Sequence, residues 1–168
     1  QMLEILYPRR CAVCDEIEVT GKGICPLCKD KVHVAGEPAC KKCGKPLVDE
    51  RKEFCTDCGK KHHVYTQGKA VFVYEGGIRN SMYRFKYGNK REYAEFYANA
   101  AVEKYGVWLN KIKAEVLIPI PMYSRKKRLR GYNQAEVFAR ELGRKAGILV
   151  DEHLVRRVRN TIPQKELN

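Results

Sequence analysis

Two folding units in series, a cysteine-stapled region over residues 1–62 and an α/β unit over residues 63–168, are predicted by three features of the sequence. All eight cysteines stand between residues 11 and 58 as four Cys-x-x-Cys pairs. A nearly all-apolar run, Val116-Leu-Ile-Pro-Ile-Pro121, precedes a helical pattern that opens on Asn133 and closes at Gly147. The charge is unevenly shared: residues 1–62 hold 12 Lys and Arg against 10 Asp and Glu, whereas residues 63–168 hold 21 against 10.

The pairs are Cys11/Cys14, Cys25/Cys28, Cys40/Cys43 and Cys55/Cys58, separated by ten, eleven and eleven residues. Tetrahedral zinc takes four soft ligands, and two such pairs supply one four-thiolate site. Eight cysteines therefore imply two zinc ions. A secreted disulfide framework fits less well, because no charged-then-apolar segment stands before Cys11 and close pairs suit knuckles better than long-range bridges. A thioredoxin-like dithiol would need a single pair after a strand in a βαβ unit. About 60 residues bury too little apolar surface to fold without a staple, which gives zinc its physical role. Sequential pairing of neighbouring pairs closes the shorter loops and costs less chain entropy than interleaved pairing, though both satisfy the spacing. Gly44 and Gly59 follow the second cysteines of their pairs, where a knuckle turn needs backbone freedom, while Asp15 and Lys29 hold the matching places in the first two pairs. His62 and His63 could ligate metal, but eight cysteines already close two sites; His33 and His153 stand isolated.

Further along, Lys69-Ala-Val-Phe-Val-Tyr74 reads as a strand halted by Gly76-Gly77. Ile78, Met82 and Phe85 then mark one helical face, and Tyr93, Phe96, Tyr97 and Ala100 a second, with a break at 86–89. These aromatics read first as core; a nucleobase-stacking role stays open for Tyr83 and Tyr87. The run 116–121 reads as a strand buried on both faces, as in a parallel sheet. Asn133 can cap the next helix, with Glu136 completing a capping box. Ala135, Phe138, Ala139 and Leu142 give its buried stripe, Gly147 stops it, and another short strand is expected near 148–150 or 154–158.

Between strand and helix lies Met122-Tyr-Ser-Arg-Lys-Lys-Arg-Leu-Arg-Gly-Tyr-Asn-Gln134, in which Arg125, Lys126, Lys127, Arg128 and Arg130 are basic. A cationic loop beyond the carboxyl end of a strand, leading into a helix start, is an expected anion site. Each four-thiolate zinc site adds about −2, so the ribbon part becomes mildly acidic and the basic surface belongs to the second part. Such a surface suits nucleic acid, pyrophosphate or a sugar phosphate. No apolar run approaches the ~20 residues needed to span a bilayer. Cysteines kept as zinc thiolates indicate a reducing compartment, the cytoplasm. The chain opens at Gln1, and further residues are expected before it.

Taken in order, the Cys-x-x-Cys region, Arg84-Phe-Lys-Tyr-Gly88, Ile118-Pro-Ile-Pro121, Arg130-Gly-Tyr-Asn-Gln134 and Thr161-Ile-Pro-Gln-Lys165 resemble the ComF family of bacterial competence-associated proteins over nearly the whole chain. The resemblance implies a small zinc-ribbon domain followed by α/β structure: a partial type I phosphoribosyltransferase-like parallel sheet flanked by helices. It implies that Arg125–Arg130, with Asn133 and Gln134, match a loop that meets pyrophosphate. Residues from Arg157 to Asn168, including Gln164 and Lys165, would match a basic lid loop. It further implies action on incoming single-stranded DNA in natural transformation, beside an ATP-driven DNA-uptake helicase. The paired acidic residues and the Thr/Gly-rich loop that hold phosphoribosyl pyrophosphate (PRPP) in such transferases have no match before Asn168. This segment alone is therefore expected to be inactive, with an unpaired sheet edge and an exposed apolar helix face; PRPP with magnesium would belong to a longer protein. Three functions follow: single-stranded DNA handling, PRPP-dependent transfer, or a zinc-ribbon adaptor that docks on an acidic protein.

Overall fold

The structure, a computed structural model, describes residues 8–161. Gln164 and Lys165 lie outside the described residues. Contacts divide the chain into two compact units, Gln1–Met82 and Tyr83–Asn168.

The first unit is built twice from the same plan. In each half a knuckle turn carries the first cysteine pair: Asp15 N–H donates to Cys11 O at 2.9 Å, and Gly44 N–H to Cys40 O at 2.8 Å. The chain then folds back, with Cys11 N–H on Glu16 O and Cys40 N–H on Lys45 O, both at 2.8 Å. An antiparallel bridge closes each turn, Arg10 with Ile17 and Ala39 with Pro46. The turn residue is left-handed in both, at φ +70° for Asp15 and +76° for Gly44. A short polar side chain tolerates that region at Asp15. At Gly44 nothing larger fits, because a Cβ would lie 2.7 Å from the Ala70 nitrogen. The second cysteine pair of each half opens a helical turn: a 3-10 turn at Pro26–Lys31 after Cys25, and α1, Thr56–Lys60, after Cys55. Gly59 lies inside α1 and has no positive φ, so the freedom expected of it there is not used.

Among the described residues, Cys11, Val13 and Cys28 form one apolar cluster of this unit, with half-buried Cys14, Ile24, Cys25 and Val32 packed against it. The segment expected as a strand at 69–74 forms only one antiparallel bridge, Val34 with Phe72, flanked by Ala35 N–H to Val71 O and Val73 N–H to His33 O at 2.9 Å each. It pairs within the ribbon unit rather than opening the α/β part. His33 is not isolated either, since its Nδ1 lies 2.7 Å from Glu75 Oε1. Helix α2, Gly76–Tyr87, begins at the glycine pair, and the division between the units falls within it.

In the second unit α3, Tyr93–Ile112, packs along α5, Gln134–Ala146. The aromatic stripe read from the sequence is the core: Phe85, Tyr93, Phe96 and Tyr97 are buried, with Phe85 and Tyr97 ring centroids 5.5 Å apart. Tyr132 is buried beside them and donates its hydroxyl to Phe85 O. Burial raises its pKa, opposed by the nearby Arg130 and Arg91 charges. Strand β1, Val116–Leu117, runs parallel to β2, Leu149–Val150, in the register Val116 to Leu149 and Leu117 to Val150. A Cβ at Gly143 would meet Ile148 O and Val150 Cγ2 at 2.6 Å, so only glycine lets α5 lie this close to the β2 segment.

The apolar run is not buried on both faces. Pro119 is buried and Leu117 half-buried, whereas Val116, Ile118 and Ile120 are exposed. Among the described residues α5 covers one side of the run: residues 117–120 and the stripe of Ala135, Phe138, Ala139 and Leu142 frame an apolar groove of about 230 Å³. The segment expected as a loop at 124–130 is instead a helix, α4, Ser124–Arg130, ended by Gly131 at φ +84°. Arg and Lys are good helix formers, and this helix needs no apolar face because it has no buried residue.

Candidate metal centres and basic cleft

Two four-cysteine clusters follow from the doubled plan. Cys11, Cys14, Cys25 and Cys28 form one, and Cys40, Cys43, Cys55 and Cys58 the other; within each, all four sulfurs lie within 4.8 Å of one another. The pairing is sequential, as the loop-closure argument favours. No sulfur is in a disulfide. Cys14 and Cys25 Sγ stand 3.8 Å apart, and Cys43 and Cys55 Sγ 3.7 Å. With Zn–S near 2.3 Å, the edge of a ZnS₄ tetrahedron is about 3.8 Å. The donor set and spacing fit two zinc ions. Neither His62 nor His63 joins a cluster; His63 stacks on Tyr65 at 5.2 Å between ring centroids.

The thiols are held in unequal states. Burial raises the Cys11 thiol, but the backbone N–H groups of Cys14, Cys25 and Val13 outweigh it and bring it down to about 7. Two of those amides, Val13 and Cys25, stand 3.4 Å from its sulfur. At Cys40 burial is likewise overcome, by the N–H groups of Cys55, Cys43 and Lys42, to about 6. Cys28 and Cys58 are pushed up to about 12 by desolvation and then by hydrogen bonds to neighbouring thiols. Cys14 and Cys43 are raised as well, desolvation leading. Four thiolates this close repel one another unless a cation joins them, and a divalent ion supplies that charge.

In the second unit, Arg125, Lys126, Lys127 and Arg128 are exposed on α4 and Arg130 is half-buried at its end. Their surroundings differ. Lys127 Nζ is 2.6 Å from Glu136 Oε2, and that carboxylate is only 12% exposed, so this charge is largely neutralised. Lys126 donates to Thr161 O at 3.3 Å, while Arg130 donates to Gln134 Oε1 and sets its guanidinium 4.7 Å from the Tyr87 ring centroid. Tyr87, Asn89, Lys126, Leu129 and Arg130 line a cleft of about 420 Å³.

Asn133 is 1% exposed. It caps α5, accepting from Ala135 N–H at 3.1 Å and donating to Ile120 O at 3.0 Å; Glu136 Oε1 accepts from the Asn133 side-chain amide at 3.3 Å, a side-chain pair in place of the expected capping box. Arg157 is exposed and donates to Thr161 Oγ1. Arg125, Lys126, Lys127, Arg128 and Arg130 are thus gathered on one short helix, whereas Asn133 has its polar groups committed to the fold. In the sequence Tyr87 is open to a core or a base-stacking role and nothing local ties it to Arg130, 43 positions later, while Asn89 stands in the break between two helical patterns. Helical spacing of Tyr83 and Tyr87 outside the apolar stripe was the available signal.

Residues 2–59 match the family model described as a double zinc ribbon domain. No curated protein and no solved structure matches the chain. Residues 2–59 are therefore a zinc-binding double ribbon, in agreement with the two four-cysteine clusters. No helix among the described residues is long and apolar enough to cross a membrane.

Proposed function

We propose that this chain handles single-stranded DNA through the basic surface of its second unit, as a ComF-like protein of natural transformation in the cytoplasm. The observation that carries the reading is α4: five cations in seven residues, all outside the core, with Arg125 and Arg128 carrying no described partner. Cations held on a helix at fixed spacing can follow a phosphate backbone, and the released counterions make such binding depend on salt. The double zinc ribbon supports a nucleic-acid-associated role, and its mildly acidic charge leaves it suited to protein contact, for example with an ATP-driven uptake helicase. The test is fluorescence anisotropy of the zinc-loaded protein with a labelled single-stranded oligonucleotide across a salt series. Binding that weakens steeply as salt rises supports the reading, and absence of binding at low salt overturns it.

A second reading, phosphoribosyl transfer from PRPP with magnesium in a longer protein, draws support from one feature. Parallel β1 is followed directly by the basic α4, the order in which an α/β anion site is built. Calorimetric titration of a longer chain with PRPP and magnesium separates the two, since the DNA reading needs no PRPP affinity.

A further inference from the structure

We infer that the cleft beside Tyr87 takes one unpaired nucleobase, stacked against the tyrosine ring, so that the surface distinguishes a single strand from a bare run of phosphates. The inference rests on the single-stranded DNA reading above and deepens it. Its starting point is a contrast among neighbouring aromatics. Phe85, Tyr93 and Tyr97 are 2%, 1% and 6% exposed, whereas Tyr83 and Tyr87, one turn apart on α2, are 65% and 57% exposed. The core does not use these two rings. Their centroids are 5.1 Å apart with planes tilted by 48°, so neither ring lies flat over the other.

The cleft supplies what a base needs on each side. Arg130 holds its guanidinium over Tyr87, making a composite of ring and planar cation on which any base can stack. Leu129, 83% exposed, adds an apolar edge. Asn89, in the left-handed region at φ 54°, accepts from Arg91 Nε through its Oδ1 at 3.2 Å and keeps its amide N–H groups for a base edge. Lys126 lies at the rim and can meet a flanking phosphate. A site for phosphate alone would have no use for Tyr87 and Leu129. In a duplex the bases are stacked and paired, so only an unpaired base can enter without melting.

The experiment compares two labelled oligonucleotides of equal length and phosphate count, oligothymidylate and its fully abasic tetrahydrofuran counterpart, by anisotropy with the zinc-loaded full chain. Oligothymidylate is expected to bind about tenfold more tightly, in line with stacking of one base, with the same salt slope. Tyr87→Ala should remove that preference, while Tyr87→Phe should keep it. Equal affinity of the wild-type protein for both strands overturns the base site while leaving the DNA reading intact, and this comparison needs no variant. A preference that survives in folded Tyr87→Ala also overturns it. Failure to bind either strand overturns the DNA reading itself, and the base site with it.

Discussion

Zinc loading should release protons in a number set by the thiol states. Without metal at pH 7, Cys14 and Cys28 in the first cluster and Cys43 and Cys58 in the second have raised pKa values, Cys28 and Cys58 at about 12. All four remain protonated and must lose their protons to become ligands. Binding therefore displaces at least two protons per zinc, and affinity falls at least about a hundredfold per unit of falling pH at each site, since each displaced proton contributes a factor of ten. The sign follows from the raised values: pH 7 lies below them, so acid opposes binding and base favours it. Calorimetry of zinc binding to the apo chain in buffers of different ionisation enthalpy counts these protons directly. The expected result is two zinc ions and at least four protons per chain at pH 7. Fewer than one proton per zinc would refute the reasoning, because zinc would then be bound by groups already free of protons.

Gly44→Ala should strip zinc from the second site while sparing the first, leaving about one zinc per chain by atomic absorption; it forces a side chain at φ +76° into the Ala70 backbone. Asn133→Ala should lower stability by about 1–2 kcal/mol in thermal or urea unfolding, because it removes the α5 cap and leaves Ile120 O without its donor.

Legibility in the sequence followed how local the determining physics is. Metal ligands are set by residue type and spacing, so all eight ligands could be read directly, whereas their spacing allows interleaved as well as sequential pairing and only loop closure favours the sequential clusters that form. Helix α5 was equally clear, because Asn133 and Gly147 mark its ends and its apolar stripe is periodic. Helix α4 escaped because periodicity is the primary signal and it has none; Leu129, its only apolar residue, is 83% exposed. The run 116–121 suggested burial on both faces, yet composition reports that a strand can be covered and not that a second layer is present. The segment 69–74 looked like a new beginning, but its partner lies at 33–35, and cross-strand pairing is invisible to local pattern. For the same reason the approach of Arg130 to Tyr87 could not be read, since it is created when residues 132 and 85 pack together in the core.

The most direct test of the DNA-binding surface is the salt dependence of single-stranded DNA affinity in Arg125→Ala/Arg128→Ala, with Lys127→Ala as the internal control. Each phosphate contact on a single strand contributes about 0.7 to the slope of log affinity against log salt. Removing Arg125 and Arg128 should therefore flatten the slope by about 1.4. Lys127 is already neutralised by Glu136 at 2.6 Å, so its removal should change the slope by much less than about 0.7. A slope unchanged in the double variant would contradict the account and place any DNA contact away from α4.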